Sequence, residues 1–129
     1  MMTKLLKTYP LSLLGTIAVL ILSLAPIGAP EIAQDVPLFD KWAHFIMYGG
    51  LTVIIWWELL RAQGRQVPSS RLTVQGLVCP VLWGGLMELC QANLTTYRSG
   101  EWLDFLANSI GVLLGCGIML VYKARMKSR

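Results

Sequence analysis

Four stretches of the chain are apolar almost throughout: residues 11–27, 42–60, 72–91 and 103–122. Each approaches the ~20 residues a helix needs to cross the hydrocarbon core of a bilayer. The pattern predicts four membrane-spanning helices. Short connections make consecutive helices antiparallel neighbours in one all-α four-helix bundle. No internal repeat, low-complexity tract or second domain interrupts residues 1–129. Lys4 and Lys7 precede the first stretch, as they would in a signal peptide. The segment from Leu24 to Pro30 is a poor cleavage site, so the stretch reads as the first span.

Polar residues inside these stretches are not scattered. Asp40, His44, Tyr48 and Thr52 recur every fourth position. Each step of four drifts only about 40° around a helix, so they form one stripe. Glu88 and Gln91 are three apart and share a face of the third span. Asp104, Asn108, Gly111 and Gly115 follow the 4-3-4 spacing of a helix–helix seam. Pro80 sits mid-span, where its missing N–H leaves the Gly76 carbonyl without a partner, and a kink is expected there. Gly49, Gly50, Gly84, Gly85, Gly111 and Gly115 allow close helix approach.

Charge then orients the bundle. Lys and Arg stay on the cytoplasmic side of a membrane. Lys4, Lys7, Arg61, Arg65, Arg71, Lys123, Arg125, Lys127 and Arg129 fall on one side, nine of the eleven basic residues. The other side holds Lys41 and Arg98 with six of the seven acids: Glu31, Asp35, Asp40, Glu88, Glu101 and Asp104. Both termini are therefore expected in the cytoplasm, and the three polar groupings converge at one extracytoplasmic level. Aromatic residues follow suit, with Tyr9, Trp56, Trp57 and Tyr122 at the inner interface and Trp42, Tyr97 and Trp102 at the outer one. Trp83 lies inside the third span and is expected to pack against another helix. The chain is 55% hydrophobic and 14% charged, which excludes disorder and an ordinary soluble enzyme domain. The net charge of +4 is a topology signal. No basic stripe with interleaved aromatics marks a nucleic-acid partner.

The ordered motifs resemble those of VanZ-like membrane proteins. Asp40-Lys41-Trp42-Ala43-His44-Phe45-Ile46-Met47-Tyr48 is similar to that family's D-K-x-x-H-F-x-x-Y opening. Glu88-x-x-Gln91 is similar to its E-x-x-Q, and Arg98, Trp102-Leu103-Asp104, Asn108 and Gly111 to its R…W-x-D…N-x-x-G stretch. The resemblance covers roughly residues 38–117. Tyr97 stands where the family pattern has a glycine before the arginine. The resemblance implies a small polytopic protein of the bacterial cytoplasmic membrane, in a family whose namesake is associated with teicoplanin resistance. It supplies no reaction.

The candidate catalytic residues are His44, Glu88 and Asp104. His44 is the sole histidine and the side chain suited to proton transfer near neutrality. It could equally be a hydrogen bond tying the second span to the third. Glu88 and Asp104 could act as a carboxylate pair or be neutralised by Lys41 or Arg98. Candidate ligand-binding residues are Asp40, Lys41, Tyr48, Gln91, Arg98 and Asn108. Arg98 can fork onto a phosphate or carboxylate, or form a rim ion pair with Glu101 or Asp104. Asp40 can also be a helix N-cap, and Asn108 an interhelical hydrogen-bonder. Glu58 reads as a solvated partner of Arg61. Cys79, Cys90 and Cys116 read as small buried hydrophobes. One histidine and no cysteine pairing of zinc spacing give no metal site, and no cofactor motif is present. Asn93-Leu94-Thr95 is a chance sequon.

Three functions compete. The favoured one is an extracytoplasmic site that binds, and could modify, a membrane lipid or lipid-linked cell-wall precursor. The alternative is a non-catalytic scaffold or assembly partner whose polar cluster is structural. Ion transport is disfavoured, because Glu58 is the only acid of the inner half.

Overall fold

A computed structural model describes residues 1–25, 31–96 and 102–127. Among these residues there are helices and no strands. Helix α1 (Met2–Thr8) turns sharply into α2 (Pro10–Leu24), the two axes meeting at 94°. The turn follows from Pro10, whose ring pushes the preceding residue out of the helical region. Tyr9 accordingly sits at φ −127°, ψ 51°. After a 3-10 turn at Glu31–Gln34, α3 runs from Phe39 to Gln63. It stops at Gly64, which takes a positive φ of 72°. Helix α4 (Ser69–Thr73) passes through a π-helical segment, Val74–Val78, into α5 (Cys79–Leu94). Helix α6 spans Trp102–Arg125.

Three helical runs are long and apolar enough to cross a membrane: Phe39–Gln63, Ser69–Leu94 and Trp102–Arg125. The bent pair α1–α2 makes a fourth only if counted as one span. The 15 residues of α2 alone rise only about 22 Å, short of a ~30 Å hydrocarbon core. The expected first span, residues 11–27, thus starts one residue earlier and has its last described helical residue at Leu24, while Ile27 lies outside the described residues. Leu82, Leu86, Leu89, Ile110, Leu113, Leu114 and Ile118 are all exposed on α5 and α6. A water-soluble monomer rarely leaves so continuous an apolar face bare. The chain is a helical membrane protein.

The break at Pro80 is repaired from outside its own helix. The Gly76 carbonyl accepts hydrogen bonds from Trp56 Nε1 at 3.1 Å and Cys116 Sγ at 3.3 Å. Neighbouring helices thus satisfy the backbone group that proline frees, as hydrocarbon requires. Trp56, expected at the inner interface, is buried instead, because its N–H serves this carbonyl. Cys116 is buried as expected, but Cys79 is exposed. Trp83 is half-buried against the core.

Helices α3 and α6 make the most extensive contact. Gly111 allows it, since a Cβ there would run into the Phe45 carbonyl. A Cβ on Gly115 would sit 2.9 Å from the Gly49 carbonyl oxygen. The 4-3-4 seam read from α6 is therefore its face toward α3.

Candidate functional site

The first turns of α3 and α6 lie side by side at this seam. Lys41 Nζ contacts Asp104 Oδ1 at 2.8 Å and Asp40 Oδ2 at 3.8 Å. His44 Nδ1 lies 2.9 Å from Asn108 Oδ1. This contact fixes the orientation of the imidazole ring between the two helices. The other ring nitrogen, Nε2, then faces Asp104 Oδ2 at 3.7 Å and Asp40 Oδ1 at 3.9 Å. From α5, Glu88 Oε1 lies 3.7 Å from His44 Nδ1. His44, Glu88, Asp104 and Asn108 are buried, whereas the Asp40 side chain is 62% exposed. Asp40 thus marks the mouth of a cluster whose floor is closed. An imidazole held by an amide on one nitrogen and flanked by carboxylates on the other has the orientation of a proton-transfer group.

Asp40, Lys41, His44, Glu88, Asp104 and Asn108 therefore come together. Tyr48 lies one turn deeper and is fully buried, with Ser23 and Glu88 as polar neighbours. Gln91 turns elsewhere, its Nε2 donating to the Ser23 carbonyl at 2.8 Å and tying α5 to α2. Arg98 lies outside the described residues, as does Tyr97.

Two local expectations change. Asp40 is not the N-cap of α3, because the helix opens at Phe39 with Leu38 in a left-handed conformation before it. Asp40 sits within the first turn and spends its carboxylate on Lys41 and His44. The hydrogen bond of His44 reaches the last helix, through Asn108, rather than the third span. Lys41, drawn from the two cations weighed for the role, pairs with Asp104.

The donor atoms of Asp40, His44 and Asp104 all lie within 4.8 Å of one another, a spacing that could hold a metal ion. No sequence spacing signals this set, since the donors come from two helices. The Lys41 ammonium already supplies positive charge to Asp104.

Sequence reasoning missed Glu58. Far from solvated, it is fully buried and accepts the Leu11 N–H at 2.8 Å and the Ser12 N–H at 2.9 Å. It caps the N-terminus of α2, where unpaired amides and the helix dipole attract an anion. Arg61 instead donates to the Thr8 carbonyl at 3.3 Å and lies 5.2 Å from the Trp57 ring centre. The available signal was an acid within an apolar span together with a Pro-led helix start. Ser23, 1% exposed, was missed as well and carries no spacing signal.

No family model and no solved structure matches the chain. It is similar to an uncharacterised protein of the fission yeast Schizosaccharomyces pombe, 33% identical over 93 residues. The match takes in 72% of this chain and 54% of the yeast protein, so the chain spans about half the length of that relative.

Proposed function

We propose that the chain is a four-helix membrane bundle with both termini cytoplasmic, whose extracytoplasmic polar cluster binds the phosphate-bearing head group of a membrane lipid. The observation that carries this reading is the Lys41–Asp104 pair at 2.8 Å, set beside a buried His44 and open at Asp40. Ionisable groups are expensive inside a bilayer and gather where they meet a ligand or a water-filled cavity. Lys41 is 22% exposed and can turn its ammonium from Asp104 toward an incoming phosphate. The basic surplus at the opposite helix ends supports the orientation. His44, Glu88 and Asp104 are the residues to carry any proton transfer to the bound head group. The VanZ-like resemblance favours a membrane lipid or a lipid-linked cell-wall precursor as the ligand. The fission yeast relative shows that a similar segment also occurs in a eukaryotic protein.

The test is lipid analysis of the purified protein by mass spectrometry. A phosphate-bearing lipid is expected to co-purify with the wild type and to be depleted in Lys41→Gln. Equal retention by the two proteins would end the head-group reading.

The scaffold reading has its own support in the buried His44–Asn108 and Gln91–Ser23 hydrogen bonds, which staple helices together. It expects His44→Ala to lower the melting temperature in detergent and to leave lipid retention unchanged.

A further inference from the structure

A groove of about 550 Å3 opens between α5 and α6 beside the polar cluster. Its walls are Leu82, Leu86 and Leu89 on one helix and Trp102 and Phe105 on the other. Gly85 lets the Phe105 ring lie against α5, since a Cβ there would come within 3.2 Å of the ring. Glu88 is the one ionisable residue of the lining, and its carboxylate also reaches His44, Oε1 lying 3.7 Å from Nδ1. The groove therefore joins the hydrocarbon side of the protein to the polar site through a single side chain.

Its dimensions select an occupant. From Val81 to Ala92 the groove follows α5 for about 16 Å. That matches one leaflet, roughly half of a ~30 Å hydrocarbon core. Val81 is near the middle of the Ser69–Leu94 span, and Ala92 is near the end that carries the polar cluster. We infer that this groove is the slot for one hydrocarbon chain of the lipid whose phosphate sits at Lys41, entering sideways between α5 and α6. The inference rests on the head-group reading for the identity of the lipid, while the groove itself does not.

The test reconstitutes the full chain in phosphatidylcholine vesicles doped with a phosphatidylglycerol that carries a diazirine in one acyl chain. After photolysis, peptide mass spectrometry maps the adducts. Adducts on Leu86, Leu89 and Phe105 are expected to exceed those on Ile110 and Leu113 several-fold. Ile110 and Leu113 are exposed on α6 outside the groove and serve as the reference. Ala92→Trp fills the slot from an exposed position and is expected to remove the excess, whereas Leu113→Trp is expected to keep it. Even labelling of both sets overturns the inference, as does an excess that survives Ala92→Trp. The same label on a diacylglycerol, which lacks phosphate, separates the two readings. An excess that falls with that lipid supports both, and an undiminished excess supports the slot and counts against the head-group site.

Discussion

Glu58 spends both carboxylate oxygens on backbone amides 46 and 47 residues away in the chain. Glu58→Gln replaces one acceptor with a donor that faces an N–H. It is expected to destabilise the protein by roughly 1–2 kcal/mol, the range for a lost helix cap or an unmade buried hydrogen bond. Hydrogen exchange at Leu11 and Ser12 should quicken with it, and unchanged exchange would rule out the capping role. Lys41 and Asp104 make a second residue-scale test. Removing Lys41 alone leaves Asp104, 2% exposed, without its ammonium, and Lys41→Met is expected to cost about 3 kcal/mol. Lys41→Met with Asp104→Leu should regain most of that loss in a detergent melt. Two equal and additive losses would show that the groups do not act as a pair. The four-residue spacing of Asp40, His44 and Tyr48 and the 4-3-4 run of α6 were legible because a helix converts spacing directly into a shared face. Glu58 was not, because its partners are backbone amides, which every residue type except proline possesses.

Among the elements, the passage from α4 through the π segment to α5 shows a proline accommodated by its neighbours. The Gly76 carbonyl takes donors from α3 and α6. Trp56→Phe removes one of these and is expected to cost about 1 kcal/mol in the parent protein. In a Pro80→Ala background the α5 amide is restored, so the same Trp56→Phe change should cost less. An equal cost in both backgrounds would separate Trp56 from the proline break. At the α3–α6 seam, Gly111→Ala forces a methyl into the Phe45 carbonyl and is expected to lose roughly 1–3 kcal/mol. Gly117→Ala, with nothing within 4 Å, is the matched control. Equal melting of the two variants would contradict the close packing of the helices. Pro80 and the glycines announced a break and a close approach in the sequence. Which helices would supply the missing donors did not show there, because that depends on how α3 and α6 rotate onto α5.

For the whole molecule, helical class and membrane character were plain from apolar run length alone. The bend before α2 was harder to read, since its cause is one proline placed where an apolar run begins. Sidedness rests on the distribution of Lys and Arg, and the proposed lipid site rests on sidedness. Measuring which membrane face the mouth of the cluster opens to is therefore the most direct check. Leu38 is 70% exposed at the start of α3, next to that mouth, and Lys127 is exposed beyond the end of α6. Leu38→Cys and Lys127→Cys can be made with Cys79 and Cys90 replaced by alanine, while Cys116 stays buried. In sealed right-side-out vesicles, a membrane-impermeant maleimide is expected to label Leu38→Cys at once and Lys127→Cys only after permeabilisation. The opposite order of labelling would put the polar cluster on the cytoplasmic face and contradict the proposed site.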